Sequence, residues 1–124
     1  MSVVRDIRQQ RIFEWARAAF GDVEATNIKQ RALRLLEEAT EMFQACDGDE
    51  EMAHKLVTYV FSHEKGEVAQ ELGGIAITTL VLAAAAGLSA DTAEQNEAER
   101  VLSKPVDYYT KRNAAKNAAG LKVT

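Results

Sequence analysis

Proline is almost missing from this chain. Pro105 is the only one in 124 residues, so no proline interrupts a helix before that point. Aromatic residues make up 6% of the sequence, and β-branched residues rarely alternate with polar ones, which removes the usual signature of strands. Cys46 is the only cysteine, so an intrachain disulfide is excluded. The first residues are charged and contain no apolar leader, and a cytoplasmic location is the expectation. No GxxxxGK[ST] pattern occurs, which excludes a P-loop. What remains is a chain rich in Ala, Glu, Leu and Lys, long enough for one domain with a modest core. The expectation is an all-α protein.

Charge is unevenly spread. The net charge is −4, with 15 basic and 19 acidic residues. From residue 104 onward Lys104, Lys111, Arg112, Lys116 and Lys122 face a single Asp107, so this end carries +4 and residues 1–103 carry −8. An acidic body disfavours nucleic acid as a partner. The basic end reads first as a solvated terminus and second as a phosphate contact.

The periodicity predicts five helices. The first spans residues 2–20, with Val4, Ile7, Ile12, Trp15, Ala16 and Ala19 mostly on one stripe. After a connector at 22–27, Asn27 caps a second helix over 28–47. Its face of Ile28, Ala32, Leu35, Leu36, Ala39, Met42, Phe43 and Cys46 has the clearest period in the chain, and Gly48 is its expected stop. Asp49 caps a third helix reaching Phe61, with Met52, Leu56, Tyr59 and Val60 on its buried side. The fourth runs from Gly66 or Glu67 to Ala86, apolar nearly all round, and is expected to be central. Within it, residues 72–88 have the minimum length of a membrane span, but glycines, threonines and alanines favour a core helix. Ser89 or Asp91 caps a fifth helix that ends before Pro105. The organisation is one helical domain over 1–104 and a basic tail over 105–124, helical or loosely docked.

Carboxylates supply the candidate chemistry. Glu37, Glu38 and Glu41 lie on the second helix, and Glu67 and Glu71 open the fourth. Glutamates three or four apart share a side of a helix. Two such pairs facing each other repel unless a cation lies between them, and carboxylate oxygens suit Mg²⁺ or Mn²⁺. Glu38 and Glu41 flank the apolar stripe and are placed to look into a cleft, whereas Glu37 points nearly opposite the core and reads as solvated. Glu67, Glu71, Gly74 and Thr78 stack on one face of the fourth helix, and a polar strip on a buried helix is costly unless paired or metal-bound. The alternative for the first set is a solvated face paired with Arg34, and for the second a helix N-terminus favoured by its dipole. Glu51 and His54 spell one ExxH, but a di-iron bundle needs two. Cys46 and Trp15 read as core residues, and Gly73-Gly74 as a close helix contact.

These residues resemble the MazG-like family of all-α nucleotide pyrophosphohydrolases, whose pattern is EExxE on one helix and ExxD on the next long one. Glu37, Glu38 and Glu41 match the first half and Glu71 begins the second, while Gly74 stands where the family has Asp. The similarity spans residues 31–88. It implies a four- to five-helix bundle in which Glu38, Glu41 and Glu71 hold Mg²⁺ or Mn²⁺. Apart from the family pattern, Glu67, two turns before Gly74 on the same face, is the expected substitute for the missing fourth carboxylate. The resemblance further implies attack of a metal-oriented water on the α-phosphorus of a nucleoside triphosphate, giving monophosphate and pyrophosphate. Glu41 or Glu67 would take the water's proton. Lys104, Lys111 and Arg112 would bind the triphosphate and Trp15, Phe20 or Tyr59 would line the base pocket, in a homodimer or homotetramer; no membrane partner is expected from the composition of residues 72–88. The competing expectation, prompted by Gly74, is a non-catalytic helical protein that binds a nucleotide or a partner.

Overall fold

A computed structural model describes residues 3–123. Within them the regular structure is all helical: α1 (Val3–Phe20), α2 (Asp22–Ala25), α3 (Ile28–Ala45), α4 (Glu50–Phe61), α5 (Val68–Ala85), α6 (Ala90–Ser103) and α7 (Val106–Ala118). The all-α expectation holds. The connector at 22–27 contains the extra turn of α2, and the basic tail is helix α7. The expected start of the first helix at residue 2 lies outside the described residues.

Local chemistry accounts for the boundaries. Asn27, Asp49 and Ser89 accept hydrogen bonds from the backbone N–H groups of Gln30, Met52 and Thr92, as N-caps do. At the end of α3 it is Asp47, not Gly48, that takes the left-handed conformation, at φ 65°. The Gly48 N–H then bonds back to the Phe43 carbonyl at 2.8 Å, and the Phe43 ring fills the space that a side chain at Gly48 would need. At the end of α5 the left-handed residue is Gly87, and Leu88 closes the turn on Ala83.

The helices whose backbones approach are α1 with α2, α6 and α7, α2 with α3, and α5 with α6. We call α1, α2, α6 and α7 the head. Its buried apolar residues are Ala16, Ala19, Ala25 and Ala98, small side chains that let helices approach closely. Aromatic edges add to this core, with Trp15 4.9 Å from Tyr109 and 5.4 Å from Phe20 between ring centroids. Polar clasps complete it. Arg5 and Arg8 of α1 both donate to Glu94 of α6, with Arg8 at 2.6 Å. The Thr110 hydroxyl donates to the Ala19 carbonyl, tying α7 to α1.

The remaining helices form an arm, and here the structure departs from the sequence-based expectation. The apolar face of α3 is uncovered: Leu35, Leu36, Met42 and Phe43 are exposed, and so is Cys46. Met52, Leu56, Tyr59 and Val60 of α4 are each more than half exposed. α5 has no buried residue and is not the central helix. The physical reason is that α3, α4 and α5 meet no facing element of their own chain along these stripes. Val4 and Ile7 at the start of α1 are likewise exposed. Among the described residues one helix, Val68–Ala85, is long and apolar enough to cross a membrane, with mean hydropathy 1.6.

Candidate functional site

The two halves of the acidic motif occupy α3 and the start of α5. Glu37 is not solvated. Lys116 of α7 reaches its Oε1 at 2.8 Å and Arg34 its Oε2 at 3.6 Å. The local Arg34 pairing expected from spacing is therefore present, with a partner from α7 added. Glu38 is exposed and has neither a hydrogen bond nor an ion pair among the described residues. Glu41 is also exposed, and its charge acts on Arg112 of α7.

A groove of about 480 Å³ lies beside α3 and the start of α4. Glu37 and Glu41 line it with Arg34, Thr40, Asp49 and Glu50, and Glu38 does not. Of the pair expected to look into a cleft, only Glu41 does so. Its groove-lining neighbour on the helix is Glu37, one turn back.

Glu67 precedes α5 and Glu71 lies in its first turn, both exposed. The Glu71 carboxylate folds back over Gly66, where an added Cβ would collide with it. Gly73 and Gly74 have open space around them, so the close helix contact expected there is not made within the chain. The Thr78 and Thr79 hydroxyls donate to the carbonyls of Gly74 and Ile75, which leaves that part of α5 effectively apolar.

The donor set of Glu38, Glu41, Glu67 and Glu71 has the hard oxygen chemistry that Mg²⁺ or Mn²⁺ requires. The geometry of one chain does not fit such an ion, because no three metal-ligating side chains converge among the described residues. α3 and α5 make no close backbone approach to each other; α3 approaches α2 and α5 approaches α6.

The basic candidates lie around α7. Lys104 sits 4.4 Å above the Tyr108 ring, and Arg112 donates to the Tyr108 hydroxyl at 3.0 Å. The hydrogen bond from Arg112, its charge and that of Lys104 pull the Tyr108 phenol below its ordinary range. Lys111 pairs with Asp107 at 3.8 Å on the surface. Trp15 is engaged by Tyr109 and Phe20, the core role its sequence context favours.

A polar network missed by sequence reasoning fixes α3 against α7. Glu24 of α2 accepts from Asn113 and Asn117, whose amide oxygens in turn accept from Arg34. Arg34 also donates to the Leu121 carbonyl, and the buried Gln30 accepts from Val123 N–H. The spacing of Asn113, Lys116 and Asn117 marks one helix face and could have flagged it. Nothing in the sequence singles out Glu24.

No family model, curated protein or solved structure matches this chain.

Proposed function

We propose that the protein is a metal-dependent nucleoside triphosphate pyrophosphohydrolase of MazG-like type, releasing pyrophosphate and a nucleoside monophosphate in nucleotide-pool housecleaning. One observation carries the reading. The protein neutralises Glu37 with Arg34 and Lys116, yet leaves Glu38, Glu67 and Glu71 without a cationic partner among the described residues. Carboxylates kept free in both halves of a two-part acidic motif are what a divalent cation needs. Arg112, on which the charge of Glu41 acts, places positive charge next to the acidic helix, where triphosphate oxygens would lie.

Gly74 favours a second reading. It stands in open space on α5 where the motif calls for a carboxylate, so the protein would bind a nucleotide without hydrolysing it. Both readings are tested by pyrophosphate release from a panel of ribo- and deoxyribonucleoside triphosphates, with and without Mg²⁺ or Mn²⁺. Metal-dependent release establishes the enzyme. Binding of nucleotide by the folded protein without release establishes the second reading, and neither removes both.

A further inference from the structure

The chain exposes 9882 Å² of surface. A compact protein of 13.6 kDa exposes only about 6,600 Å². The excess, roughly 3,300 Å² per chain, is accompanied by bare apolar residues that are most numerous on three consecutive helices: Leu35 and Leu36 on α3, Leu56 on α4, Leu72, Leu80 and Val81 on α5, with Val4 and Ile7 on α1 as smaller additions. If a partner covered even half of that excess, two chains together would bury about 3,300 Å², which is in the range of obligate homodimers.

We propose that the occupant of this surface is a second copy of the chain. The α3 stripe of one copy lies against α5 of the other, and Glu38 and Glu71 approach each other across the interface. The surface itself points to a copy. α3 offers a single apolar stripe in need of cover, and α5 is apolar all round, so it can cover such a stripe and still lie against α6. Each chain supplies both and satisfies neither. A bilayer fits less well. It could receive α5, but α4 spans only about 18 Å, and immersing the α3 stripe would carry the flanking Glu38 and Glu41 toward hydrocarbon.

The inference about Glu38 and Glu71 rests on the proposed function only in the use made of them, and the assembly is testable without it. The first experiment is sedimentation equilibrium of the full chain over a dilution series. A mass of two chains, or of four built from such pairs, is expected down to sub-micromolar loading. A monodisperse single-chain mass overturns the proposal, as does a monomer that partitions onto phosphatidylcholine–phosphatidylglycerol vesicles. The second experiment co-expresses two differently tagged chains, both Cys46→Ser, one with Glu38→Cys and the other with Glu71→Cys, and treats them with a short bismaleimide. A covalent product carrying both tags supports the arrangement. An internally closed monomer from a chain carrying both cysteines overturns it, and so does the absence of any cross-link. Cross-linking between copies without metal-dependent pyrophosphate release would keep the assembly and remove the function. Release by a monomeric chain would do the reverse.

Discussion

Head and arm are both helical, and the same residue types recur in both, but they are stabilised by different means. In the head, alanines bring the helices together, and arginines and asparagines bridge what the small side chains leave open: Arg5 and Arg8 hold Glu94, and Asn113 joins Glu24 to Arg34. The arm has the strongest apolar periodicity on α3 and α4, an α5 that is apolar nearly all round, and almost no internal polar bridges. Its large side chains remain exposed, up to 84% at Phe61. The contrast teaches that strong amphipathicity states a need for cover without naming its source. The head covers its small residues Ala16, Ala19, Ala25 and Ala98 itself, while Val4, Ile7 and Val23 stay exposed. The apolar faces of the arm are left uncovered by the chain, and the candidate carboxylates Glu38, Glu41 and Glu71 lie on α3 and α5 of that arm.

Four perturbations sharpen the contrast, beginning with the largest effect. Glu38→Gln on the arm should lower metal-dependent turnover at least about 100-fold, while the melting temperature barely moves, since this exposed side chain holds nothing in the head. Pyrophosphate release and thermal melting of the same preparation check this. A variant with full turnover would place the site elsewhere. Asn113→Leu strikes the head instead. It leaves Glu24 and Arg34 short of a partner in a buried setting, and should cost about 1–3 kcal/mol, read by urea unfolding.

Acid should likewise loosen the head first. Asp22 is held below its ordinary range by Arg17. For Glu94, burial raises the value and the hydrogen bonds from Arg5 and Arg8 outweigh it. Glu97 is lowered by Arg100. Because these folded-state values are depressed, the stability they give is complete above the ordinary carboxylate range. It is lost as pH falls through the folded-state values, below about pH 4. Melting followed across that range should show the decline, and a flat profile would mean that the clasps contribute nothing. The smallest effect is expected from Gly74→Asp. Open space surrounds the position in one chain, and replacing a mid-helix glycine should gain a few tenths of a kcal/mol. The variant should fold and bind Mg²⁺ at least as tightly as the parent. Failure to fold would reveal a close contact at Gly74 made by another surface.

Most helix boundaries were legible because they depend on neighbouring residues. Asn27 and Asp49 cap the helices they were expected to cap, Ser89 rather than Asp91 caps α6, and Pro105 separates α6 from α7. Burial was less legible because it depends on what faces a stripe. The pattern that identifies α3 and α5 as amphipathic or core helices is the same whether the cover comes from their own chain or from another. Glu37 shows the limit on the acidic side. Its position relative to the apolar stripe predicts exposure, but Lys116 arrives from a helix 79 residues further along, and no local spacing reports that.

The most direct test of this account is the solution mass of the intact chain at low concentration, compared with that of Leu80→Asp, a charge placed on the bare face of α5. The parent should sediment at about twice the 13.6 kDa chain mass or a multiple of that, and the variant should shift toward one chain while keeping its helical circular dichroism. A parent that sediments as a well-behaved single chain would contradict the claim that a second copy covers the arm.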